Sequence, residues 1–155
     1  VLSRPAGART GRRALLAVAC LGALAVLTSC SGAVTDTVST AAEDSASAIA
    51  TARLAIRQDA DGKLTRAATS TALDDALKEV QTSRDTVLRL SPASPEDRQM
   101  REDALKVLDS SAAGLTTARN AVSSDDGGPP LSEGARALAA AEEALNGLKS
   151  KVGGK

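Results

Sequence analysis

Apolar and polar residues alternate along this chain in one dominant rhythm, with intervals of three and four. Val34, Val38, Ala42, Ser45, Ile49, Ala52 and Ile56 recur at those intervals, which places them on one face of a helix with a heptad-like repeat. That face is narrow and built largely of small residues, so a partner helix can approach closely. Asp61-Gly62 stops the pattern. Thr71, with Asp74 three residues on, reads as the next start, a capping box in which Asp replaces Glu. Leu73, Leu77, Val80, Val87 and Leu90 carry the second stripe, and Ser91-Pro92 closes it. Asp74/Lys78 and Asp85/Arg89 stand four apart, acid first, the order that supports an exposed helix face.

The third start is the clearest. Ser94 is placed as N-cap, Pro95 as the first helical residue, and Glu96 and Asp97 face the positive helix end. Met100, Leu105, Leu108, Ala112, Leu115 and Val122 form its stripe as far as the Asp125-Asp126-Gly127-Gly128-Pro129-Pro130 loop. Ser132 is expected to cap a fourth helix with Ala135, Leu138, Ala141, Leu145 and Leu148 inside. No run of alternating β-branched residues marks a strand. The expectation is an all-α fold, an antiparallel up-down-up-down four-helix bundle with short connections. If Leu64–Ser70 were helical, the first two segments could merge into one long helix, leaving a three-helix bundle.

A different pattern precedes these helices. Ala14–Ser29 is an apolar run of 16 residues, preceded by Arg9, Arg12 and Arg13 and ending in Leu27-Thr28-Ser29-Cys30. A spanning helix needs about 20 residues, whereas a basic start, a short apolar core and small residues at the end describe a secretory signal. Leu27-Thr28-Ser29-Cys30 resembles the lipobox of bacterial lipoproteins, a large aliphatic residue and two small ones leading into cysteine. The resemblance covers about the first thirty residues. It implies a diacylglyceryl group on the Cys30 sulfur, cleavage before Cys30, and a lipid-anchored protein on the extracytoplasmic face of the cell membrane. Arg12-Arg13 followed by Ala14-Leu15-Leu16 also resembles a twin-arginine export signal, and both that route and the general secretory route stay open. Val1 as a GTG start, with abundant Ala, Arg and Gly, fits a GC-rich bacterium such as an actinobacterium.

On this reading residues 1–29 are the signal, 30–35 a lipidated N-terminus and tether, 36–152 the helical domain and 153–155 a frayed tail. The 126 residues from Cys30 on make a single domain. The four arginines before it are gone, leaving fifteen basic against nineteen acidic residues, a net charge of −4. A mildly acidic domain has no electrostatic reason to bind nucleic acid or an anionic bilayer. Cys20 leaves with the signal and Cys30 is the acylation site, so no disulfide is expected.

Chemistry is bounded mainly by what the chain lacks. It has no Phe, Trp, Tyr or His. That removes aromatic stacking platforms, the usual zinc and haem ligands, and Ser-His or Cys-His nucleophile pairs. Asp59-Ala60-Asp61-Gly62-Lys63-Leu64-Thr65 looks like the middle of an EF-hand loop, but the first ligand position falls on Arg57 and the twelfth on Ala68. A cation where calcium needs a carboxylate argues for a helix stop instead. The acidic doublets, such as Glu102-Asp103 and Glu142-Glu143, point about 100° apart on a helix and are not sites in themselves. No Ser-x-x-Lys pair occurs. The expectation is a non-catalytic protein with no metal and no cofactor beyond the covalent lipid. It would act through helix-face contact with an envelope protein or by self-association. A bundle that opens to hold a small ligand or lipid is the alternative. Arg84, Arg89, Arg98 and Arg101, around the Pro92/Pro95 turn, are candidate contact points, against simple solvation as the plainer reading.

Overall fold

The computed structural model describes residues 30–124 and 128–154, and these form four helices with no strand among them. They are α1 (Cys30–Ala60), α2 (Arg66–Leu88), α3 (Pro95–Ser123) and α4 (Leu131–Gly153). Consecutive helices pack side by side, α4 closes the ring against α1, and α1 also touches α3 across the diagonal. The fold is the all-α four-helix bundle, and the merged three-helix arrangement does not occur.

Two interleaved seven-residue repeats build the core. In α2, Leu73, Val80 and Val87 alternate with Thr69, Ala76 and Ser83, all buried. In α3, Leu108, Leu115 and Val122 alternate with Asp97, Ala104, Ser111 and Ala118. In α4 the two sets are Leu138, Leu145 and Val152, and Gly134, Ala141 and Leu148. In α1 they are Ala42, Ile49 and Ile56, and Val38, Ser45 and Ala52. One seam of each helix is thus mainly large and aliphatic, and the other mainly small. Knobs of Leu, Val and Ile fill holes that small neighbours leave open. Small residues also let backbones approach, which gives α1 and α3 their diagonal contact. α3 and α4 approach closely at Gly134, where an added methyl group would lie 2.9 Å from the Ala118 Cα.

The helix ends follow from local chemistry. Gly62 takes φ 68°, and the Gly62 and Lys63 amides donate to the Asp59 and Gln58 carbonyls at 2.9 and 2.7 Å. This pair of bonds is a Schellman stop, with glycine in the left-handed position. Ser94 caps α3 by accepting from the Asp97 amide at 3.0 Å, behind Pro95 in the first helical position.

Three boundaries differ from the sequence reading. α2 starts at Arg66, capped by Thr65, whose hydroxyl accepts from the Ala68 amide at 3.2 Å. Thr71 lies inside the helix and donates to the Ala67 carbonyl. The Schellman stop reverses the chain so tightly that Thr65 is the first residue placed to cap. α4 starts at Leu131 behind Pro130, with no side-chain cap, and Ser132 is exposed in its first turn. The Pro130 carbonyl accepts from the Glu133 amide at 2.9 Å, and the fixed proline φ sets the entry. Finally, the stretch expected as a tether is helical: α1 runs back to Cys30, and Val34 is already core.

Candidate functional site

Helix order puts the start of α1, the α2–α3 connection and the end of α4 at one end of the bundle. The Cys30 backbone opens α1 there, one turn before the buried Val34, and its sulfur lies outside what the structure describes. Thr35 anchors this end to α3, its hydroxyl 3.7 Å from the Met100 sulfur. Leu27, Thr28 and Ser29 of the lipobox and Arg12 and Arg13 of the export signal lie outside the described residues. Among the described residues no helix is long and apolar enough to cross a membrane.

The four arginines near the proline turn do not act as a group. Arg101 donates to the Val87 carbonyl at 3.2 Å and the Leu88 carbonyl at 2.8 Å, satisfying the last turn of α2. Arg84 pairs with Asp109 of α3, and Arg89 and Arg98 are exposed. Two are therefore committed to holding α2 and α3 together.

The acids divide in the same way. Asp74 pairs with Arg119 of α3 at 2.9 Å, not along its own helix with Lys78. Asp103 meets Lys151 of α4 at 3.7 Å, and Glu142 pairs with Arg53 across α1 and α4. Asp61 of the EF-hand-like stretch pairs with Lys63 at 3.1 Å, inside the Schellman stop. Among the described residues no group of three or more His, Cys, Asp or Glu is arranged to hold a metal ion.

The surface carries open furrows between helices. One pair lies along α3 and α4 near the Cys30 end, of about 470 and 400 Å³, floored by Met100, Val107 and Leu148 and edged by Asp103, Lys106 and Lys151. A second pair lies along α1 and α2, of about 410 and 290 Å³, with Asp44 and Glu79 common to both. Asp36 stands at one end of this second groove and Asp75 at the other. Sequence reasoning missed it because the acids come from two helices whose register no local pattern reveals. The one available signal was negative: no Lys or Arg occupies the positions flanking the α1 stripe between Val34 and Ala52.

Comparison with protein-family models, with characterised proteins and with solved structures finds no match.

Proposed function

We propose that this chain is a non-catalytic lipoprotein, anchored through Cys30 on the extracytoplasmic face of the membrane, whose helical bundle serves as an interaction module of the cell envelope. The observation that carries this reading is the order of residues before the bundle: paired arginines, a 16-residue apolar run, and Leu27-Thr28-Ser29-Cys30. The bundle is compatible with it, since the described core begins at Val34 and acylation of Cys30 leaves every core position in place. Attachment would come from the acyl chains, each buried CH₂ contributing about 0.8 kcal/mol. Charge would contribute little, because a domain of net charge −4 is repelled by anionic headgroups.

A non-catalytic role rests on the inventory and on the placement of the acids. Without His, the remaining acid–base groups are carboxylates and amines. Several of those carboxylates bridge neighbouring helices, as Asp74, Asp103 and Glu142 do, and do not converge on a cleft. The furrows are open surface features and not an enclosed chamber between the helices, which favours contact with a partner over engulfing a lipid.

The test is metabolic labelling with a palmitate analogue, followed by membrane fractionation. The wild-type chain is expected to take up label and sediment with membranes. Cys30→Ala is expected to lose the label and accumulate as uncleaved precursor. Labelling that persists in Cys30→Ala would contradict the assignment.

A further inference from the structure

The connections at the two ends of the bundle differ in chemistry. From Thr86 to Pro95, across the α2–α3 connection, the chain has no acid and one cation, Arg89. The rest of that stretch is aliphatic, proline or small and polar. The stretches that join α1 to α2 and α3 to α4 instead hold Asp59 and Asp61, and Asp125 and Asp126. Leu88, at the end of α2, is 38% exposed. Among the described residues, Leu54 is the other exposed large hydrophobic side chain. Arg89, Ser91 and Ala93 are exposed as well, and Pro92 is half-buried.

Cys30 stands at the height of this connection. The Thr35 hydroxyl lies 3.7 Å from the Met100 sulfur, and α1 and α3 run parallel. Five residues back from each, Cys30 and Pro95 are therefore level, and they are the first residues of the two helices. On the other side, Thr37 and Thr86 line one furrow, and α1 and α2 run antiparallel, so Leu88 is level with Thr35. At the helical rise per residue, Leu88 is about 7.5 Å from the height of Cys30 along the bundle axis. No linker intervenes, because α1 is helical from Cys30 and Val34 is already core. An extended tether of about ten residues would let the bundle stand about 30 Å away from its anchor. A helix continuous from the anchor into the core does not.

With Cys30 acylated, a premise this inference takes from the lipoprotein reading, its sulfur lies where acyl chains meet headgroups. The headgroup layer of one leaflet is about 5–7.5 Å thick. The α2–α3 connection is level with that layer, and Leu88 reaches its outer edge. A stretch without acids can rest there, whereas burying the aspartates of the other connections would desolvate charge. A protein partner would have to reach this end through the headgroups, so the occupant is the bilayer itself. We propose that the α2–α3 connection is a second membrane contact, with Leu88, Pro92 and Ala93 in the headgroup layer and Arg89 on lipid phosphate. The bundle then stands upright, its Gly62 end away from the membrane. With one cation the contact is largely apolar and does not require anionic lipid.

The test is site-directed fluorescence in the protein purified from membranes and reconstituted into phosphatidylcholine vesicles. A mature chain acylated at Cys30 has no other thiol, so Ala93→Cys and Lys63→Cys each offer one site for a nitrobenzoxadiazole label. Both positions are exposed, and Lys63 follows the far end of α1. Ala93→Cys is expected to show blue-shifted emission and about threefold stronger quenching by spin-labelled lipid than Lys63→Cys, about 45 Å away. Adding Leu88→Gln is expected to lower that quenching about twofold. Leu54→Gln, at the other exposed leucine, is expected to leave it unchanged. Both leucines are exposed, and circular dichroism is expected to match the wild type. Equal quenching of the two labels would overturn the proposal, as a bundle lying flat or held clear of the surface would give. Quenching untouched by Leu88→Gln, or lowered as much by Leu54→Gln, would overturn it too. The wild-type chain separates the two readings. If it takes the label itself, the Cys30 thiol is free, and the lipid anchor falls together with this contact. If it stays unlabelled while both reporters are quenched equally, the contact alone falls.

Discussion

Ser45 sits midway along α1 with no exposed surface, and its hydroxyl has no hydrogen-bond partner. Ser111, equally buried on α3, donates to the Val107 carbonyl at 2.9 Å, so the two serines differ in energetic meaning. An unsatisfied buried hydroxyl costs about 1–3 kcal/mol, and alanine is also the better helix former. Ser45→Ala should therefore raise stability by about 1 kcal/mol in urea denaturation, with no change in denaturant slope. The glycines give a matched pair. Gly134 faces the Ala118 backbone, which cannot yield, so Gly134→Ala should lower stability by about 1–3 kcal/mol despite its better propensity. Gly147 has nothing within 4 Å and is exposed in α4, so Gly147→Ala should raise stability by about 0.8–1 kcal/mol. The opposite signs, read in the same denaturation assay, test whether α3 and α4 meet through their small residues.

At the scale of the element, what holds each helix in register is its termini. Arg101 of α3 satisfies the last carbonyls of α2, so Arg101→Ala should cost about 1–3 kcal/mol and speed amide exchange in the last turn of α2. Arg101→Lys, lacking the planar fork, should recover only part of it. Elements were legible from sequence where large aliphatics or strong caps marked them. All seven positions expected on the α1 face are buried, and Ser94-Pro95 opens α3 as its chemistry requires. Legibility failed where the signal was small or polar. Thr69, Ser83 and Ser111 fill core heptad positions yet look like solvent-facing residues until their seven-residue spacing is noticed. Thr65 caps α2 without the acid three residues on that marked Thr71 as the start. The α1–α2 groove left only a negative trace, the absence of Lys and Arg between Val34 and Ala52, because the register of facing acids on two helices shows in neither helix alone.

For the whole molecule, the composition and the architecture agree. A core without aromatics depends on close approach, and the small seams of α1, α3 and α4 supply it. The same seams leave shallow furrows instead of a chamber, so recognition falls to the outer surface. α1 has three roles: its N-terminus is the proposed lipid attachment point, its inner face reaches α2, α3 and α4, and its outer edge forms one wall of the acidic groove. If Cys30 is acylated, the start of α1 lies at the bilayer and the groove begins within about two turns of it, at Asp36. The measurement that tests this placement most directly is the intact mass of the protein extracted from membranes. The expected mass is that of a chain beginning at Cys30 with an added diacylglyceryl group, which Cys30→Ala lacks. A chain retaining residues 1–29, or one processed there without lipid and released into the medium, would contradict it.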